Sequence, residues 1–121
     1  MSSSRFLISI VLLASLLAIA LAAMRSRSII IGARLKGDHL IQRETLKVPS
    51  KLLRVVKDRR TYSGDKRSRI TQVRLLDQNK KGSGAVATVA AGGPGQKYVT
   101  VDFKSVSGHS IDYIIELYGR Q

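Results

Sequence analysis

Eight cationic side chains, Lys51, Arg54, Lys57, Arg59, Arg60, Lys66, Arg67 and Arg69, fall within nineteen residues and are opposed there only by Asp58 and Asp65. The chemistry open to such a run is electrostatic. A dense positive patch attracts polyanions by counterion release and steers their approach at low salt. Its expected partners are a sulfated glycosaminoglycan, an anionic membrane surface or a nucleic acid. Tyr62 is the one aromatic in the run, too few for the repeated interleaving that base stacking uses. The competing reading of the same residues is a solvated, solubilising loop.

The residues that could do covalent chemistry are sparse. Ser, His and Asp are all present, but there is no G-x-S-x-G, and His39 and His109 sit beside the turn residues Gly37 and Gly108, so a hydrolytic triad is not expected. Both histidines read as exposed turn residues. With no cysteine and two histidines far apart, a structural zinc site is not expected either. Asp112 and Glu116 lie four apart in an alternating segment and share a face; an acid and base pair is conceivable there, but a stripe facing Lys or Arg is the commoner arrangement. Gly92-Gly93-Pro94-Gly95 is not followed by G-K-S/T and reads as hairpin punctuation rather than a phosphate loop. The dibasic pairs Arg59-Arg60 and Lys66-Arg67 are places where cleavage would split the domain between strands. The sequence thus points to no catalytic residue, no metal, no cofactor and no small-molecule substrate.

The elements that must position the basic run are short strands. The clearest are in residues 97–119, where Val99, Val101 and Phe103 alternate with Tyr98, Thr100 and Asp102, and Ile111, Tyr113, Ile115 and Leu117 alternate with Asp112, Ile114 and Glu116. Both have the period of a half-buried strand, and residues 105–110 between them read as the turn of a hairpin. Further strands are expected over residues 28–33, 40–48, 52–56, 70–76 and 85–91, with Leu40, Leu46 and Val48 on one face, Thr71, Val73 and Leu75 on another, and Pro49 ending the second strand. Residues 58–68 are polar and read as a solvent loop. About seven strands, with no helical periodicity beyond the N-terminus, predict an all-β fold: one small antiparallel β-sandwich or barrel-like domain. The core must be built from Val, Ile, Leu and Ala, with Tyr62, Tyr98, Phe103, Tyr113 and Tyr118 as its large packing units. An unpaired sheet edge would allow a homodimer.

The N-terminus reads as a secretory leader. Arg5 precedes an apolar run over residues 6–23, and Ala20 and Ala22 form an A-x-A site, so residues 1–22 are expected to be a signal peptide, cleaved after Ala22 or Ala23, with the domain over 23–121. The alternative is a retained signal anchor. Cleavage removes Arg5 and leaves 20 basic residues against 8 acidic ones, a formal charge of +12 on an extracellular protein.

The chain resembles the insect multiprotein-bridging-factor type-two family. The resemblance is carried by G-x-R-x-x-G-D-x-L (Gly32, Arg34, Gly37, Asp38, Leu40), by R-I-T-x-V-R-x-L-D-Q from Arg69 to Gln78, and by glycines at 82, 84, 92, 93 and 95. It continues in V-T-V-x-F-K-S from Val99 and G-x-x-I-x-Y-x-I-E-L-Y-G from Gly108 to Gly119. The resemblance implies no catalytic residues. It implies two functions: a secreted or salivary binding protein, or a transcriptional coactivator bridging a DNA-bound nuclear-receptor-type activator and the general transcription machinery. The expected leader favours the first.

Overall fold

The computed structural model describes residues 27–79 and 84–121. The secretory leader read over residues 1–22 lies outside the described residues, as does Gly82. Among the described residues seven strands form: β1 (Ile29–Gly32), β2 (His39–Val48), β3 (Lys57–Ser63), β4 (Arg69–Asp77), β5 (Val86–Gly92), β6 (Tyr98–Lys104) and β7 (Ile111–Arg120). They make a four-stranded sheet in the order β1-β4-β7-β2 and a three-stranded sheet in the order β3-β6-β5, and every pairing is antiparallel. The fold is therefore the expected all-β sandwich, with the apolar faces of two sheets packed on one core.

The largest correction concerns residues 97–119. β6 and β7 do not pair with each other. β7 lies between β4 and β2, and β6 lies between β3 and β5 in the opposite sheet, so residues 105–110 form an arch that carries the chain across the core. Alternation reports which side chains are buried, and it is silent about the strand partner. The burial pattern itself is as expected: Val99, Val101, Ile111, Tyr113, Ile115 and Leu117 are fully buried. Phe103 from one sheet meets Tyr113 from the other, ring centres 5.2 Å apart and tilted by 58°, within the range in which edge and face attract. The hairpin of the fold is instead β5–β6, turned by the Gly92-Gly93-Pro94-Gly95 segment, where Gly93 N–H bonds the Tyr98 carbonyl at 2.8 Å.

The second strand departs from simple alternation. A bulge between Leu40 and Gln42 inserts one residue and reverses the facing of what precedes it, so Leu40 is exposed and Ile41 packs against the core instead. A matching bulge in β4 between Ile70 and Gln72 leaves both Ile70 and Thr71 buried. Residues 52–56 are not a strand. Lys51 and Arg54 close a tight turn that leaves Leu52 and Leu53 in solvent, and only Val56 returns to the core. Residues 58–68 are not a free loop, since most of this segment is β3, which pairs in register with β6 and buries Tyr62. Of the aromatics expected inside, Tyr98 is exposed, and Tyr118 lies on the outer face under the Arg34 guanidinium, 3.9 Å from the ring centre.

Candidate functional site: a cationic groove and turn

The motif residues of the sequence come together, and they bind one another. Gly32 and Gly37 adopt φ of 82° and 83°, the left-handed region in which glycine carries no Cβ penalty, and they shape the link from β1 to β2. Within that link the Asp38 carboxylate accepts hydrogen bonds from Arg34 Nε (2.7 Å), Leu35 N–H (2.7 Å) and Thr71 Oγ1 (2.9 Å). On the outer face of the four-stranded sheet Glu116 lies between Arg43 (3.5 Å) and Arg74 (3.6 Å), the expected charge stripe rather than an acid and base pair. Lys47 stands opposite Asp112 in the ladder. This face is charge-compensated, and its residues hold strands together.

The three-stranded sheet is different. Outward positions of β3 and β6 face one another row by row: Ser63 with Tyr98, Thr61 with Thr100, Arg59 with Asp102, and Lys57 with Lys104. The middle rows satisfy themselves. Thr61 and Thr100 share a hydrogen bond of 2.8 Å, and Arg59 grips Asp102 with two, at 2.5 and 2.9 Å. The last row sets two lysines opposite each other in the ladder, a like-charge pairing that disfavours the sheet. Among the described residues neither Lys57 nor Lys104 has a carboxylate partner. They border a groove of about 660 Å³ whose lining also includes Asp58, Arg59, Val86, Thr88, Asp102 and Phe103.

The eight cations singled out by sequence do not form one patch. Lys51 and Arg54 occupy the turn next to the Lys57 end of β3. Arg59 is committed to Asp102, and Arg60 points to the other side of β3 and pairs with Asp58 at 3.0 Å. Lys66 and Arg67 lie in the link from β3 to β4, at the opposite end of the strand, and Arg69 donates to the Gly95 carbonyl at 3.0 Å. What remains at one end is Lys51, Arg54 and Lys57, joined by Lys104, which the linear run does not contain. The signal for Lys104 was its outward phase in β6, but only the register with β3 shows that it meets Lys57. Both histidines are exposed, His39 as the first residue of β2. Among the described residues no three His, Cys, Asp or Glu side chains come together as a metal site.

Titration of the buried and bonded groups makes the stability of the fold depend on pH. Burial alone would raise the Asp38 carboxyl, but the bonds from Leu35, Arg34 and Thr71 outweigh it and hold the group below its ordinary range. Hydrogen bonds from Ser68 do the same for Asp65, and the Arg59 pairing does so for Asp102. Each carboxyl adds stability that is present in full above the unfolded value of about 4 and is lost as pH falls through the folded value. The tyrosines act at the other limit. Burial, aided by the Glu44 charge, pushes the Tyr62 hydroxyl up to about 12, and burial with the nearby Asp77 raises Tyr113 as well. Their stabilisation is present below the unfolded value of about 10 and is lost as pH rises through the folded values. In an alkaline titration, phenolate absorbance from these two tyrosines therefore appears together with the loss of β-sheet circular dichroism. Phenolate signal from Tyr62 and Tyr113 well before unfolding, identified by its loss in Tyr62→Phe and Tyr113→Phe chains, would contradict this.

The family model described as "Transcription activator MBF2" matches residues 31–119. A protein named "Probable salivary secreted peptide", from Bombus ignitus, is 38% identical over 96 residues, which cover 79% of this chain and 72% of that protein. No solved structure matches.

Proposed function

We propose that this chain, which belongs to the family described as transcription activator MBF2, is a secreted, non-enzymatic binding protein that holds an anionic polymer or surface at the Lys57 end of its three-stranded sheet. The observation that carries the reading is the Lys57 and Lys104 row, two like charges held opposite each other beside Lys51 and Arg54 while the neighbouring Arg59 row is neutralised. A fold that tolerates this repulsion in the free state gains by binding an anion between the two groups. The name of the salivary relative supports the extracellular setting.

Binding of fluorescent heparin fragments, measured across a range of salt concentrations, tests the site. Replacing Lys57 and Lys104 together by Ala should lower the log–log salt slope by about 2, one for each lost cation, and weaken binding. The same replacement of Lys66 and Arg67, at the other end of β3, should have a much smaller effect on affinity. Equal losses from both pairs would mean that dispersed charge alone binds heparin and that the site is wrong.

The family name favours a second reading, a transcriptional coactivator acting inside the cell. Sequencing the N-terminus of the product separates the two. Recovery from culture medium with Ala23 or Met24 first supports the secreted protein, and nuclear accumulation of the full-length chain supports the coactivator.

A further inference from the structure

The turn that joins β2 to β3 carries the two most exposed large apolar side chains among those described, Leu52 at 88% and Leu53 at 83%. Single exposed leucines are ordinary on protein surfaces. Here two stand in succession at the tip of a turn, and Val55 and Val106 in the adjoining segments are exposed as well. Leu53 is moreover held at φ 56°, where a side chain with Cβ is strained and glycine or asparagine would be the cheaper choice.

The tip is rigid. Arg54 N–H bonds the Lys51 carbonyl (3.1 Å), and the Arg54 carbonyl receives Gly108 N–H from the arch between β6 and β7 (2.8 Å). One step nearer the sheet, Ser105 N–H bonds the Val56 carbonyl and Val56 N–H bonds Ser105 Oγ, both at 2.8 Å. The next ladder step is the Lys57 and Lys104 row. The leucines are thus fixed to the same end of the sandwich as four cations, Lys51, Arg54, Lys57 and Lys104. Residues 49–56 and 105–110, the two segments that carry the tip, contain no Asp or Glu, and the carboxylates that line the neighbouring groove, Asp58 and Asp102, are already paired with Arg60 and Arg59.

From this arrangement we propose that residues 51–54 are a membrane-docking tip, with Leu52 and Leu53 entering the interfacial layer of a bilayer whose anionic phospholipid headgroups are bound by Lys51, Arg54, Lys57 and Lys104. The inference rests on the anion-binding reading above and narrows the anion to a phospholipid surface. A soluble sulfated polymer offers charge but no apolar phase and leaves the leucines without a role, whereas a bilayer satisfies both features at once. Shallow apolar insertion and a basic cluster are each weak anchors, and together they give stable but reversible attachment. The rigid turn means that little conformational freedom is lost on docking.

The test uses the full mature chain and vesicles of phosphatidylcholine, with or without about one third phosphatidylserine, in a flotation assay. The chain is expected to float only with the anionic vesicles. Replacing both leucines by Ser leaves the charge unchanged, and it should lower vesicle partitioning by roughly tenfold or more while heparin binding stays as it was. Because the chain has no Trp, a Leu52→Trp chain reports insertion directly: its emission should shift to the blue on anionic vesicles and be quenched by brominated acyl chains. Undiminished flotation of the double Ser chain overturns the docking tip, as does a Leu52→Trp chain whose emission does not move. A chain that binds heparin but ignores vesicles overturns the lipid assignment while leaving the anion site standing. Loss of both bindings removes both readings.

Discussion

A chain carrying Ile115→Asp is expected not to fold. Ile115 is fully buried in β7 with Leu75 opposite it on β4, and β7 is paired on both edges, so the backbone cannot move to bring a new carboxylate to solvent. An unpaired buried carboxyl costs several kcal/mol even after it takes up a proton, against a total of about 5 to 15 kcal/mol for a domain. Refolded protein should lack the near-ultraviolet signal of packed tyrosines and show no cooperative urea transition. The control is one residue away. Ile114 faces outward between Thr45 and Leu76, and Ile114→Asp should keep a cooperative transition. A sharp transition in the Ile115→Asp chain would mean that the inner face of β7 is wrongly identified.

Truncation of Phe103 to Ala should be the most damaging of the conservative changes. Phe103 is 1% exposed and is the residue of the three-stranded sheet that meets Tyr113 of the other, so its removal leaves a void between the sheets rather than at one strand. Phe→Ala changes in cores cost about 3 to 5 kcal/mol, which for a domain of this size lowers the melting midpoint by at least about 12 °C. Tyr113→Phe separates ring from hydroxyl. It keeps the contact with Phe103 but deletes the hydroxyl that donates to the Ala85 carbonyl at 2.5 Å, leaving that buried acceptor unpaired at about 1 to 3 kcal/mol. A larger loss from Tyr113→Phe than from Phe103→Ala would show that the polar link to Ala85, just before β5, and not the ring contact, joins the sheets.

Six of the seven strands were legible because each alternates apolar with polar residues or is a short β-branched run. β3 was not. Its sequence is KDRRTYS, with Tyr62 as its one large apolar residue, because it is an edge strand on which Asp58 and Arg60, in phase with Tyr62, stay partly exposed and pair with each other. The opposite error was LLRVV, which has strand composition but forms a turn, since tertiary contacts through Val56 and Ser105 override local preference. The site was half legible. Clustering of charge in the chain is visible directly, but whether a cation is free depends on cross-strand partners, and that information separates Arg59, opposite Asp102, from Lys57, opposite Lys104.

The order β1-β4-β7-β2 has a consequence for how the protein is made. No two neighbours in that sheet are consecutive in the chain, and β7, which every other strand of the sheet precedes in synthesis, is the strand that joins β4 to β2. During translation β2 therefore leaves the ribosome with no ladder partner and β4 with only β1, and pairing between consecutive strands is confined to β5 and β6 among the described strands. Closing such long loops is slow, on the order of milliseconds to seconds, and exposed edges in that interval invite association between nascent chains. The four-stranded sheet is therefore complete only when its last-made strand, β7, is in place between β4 and β2.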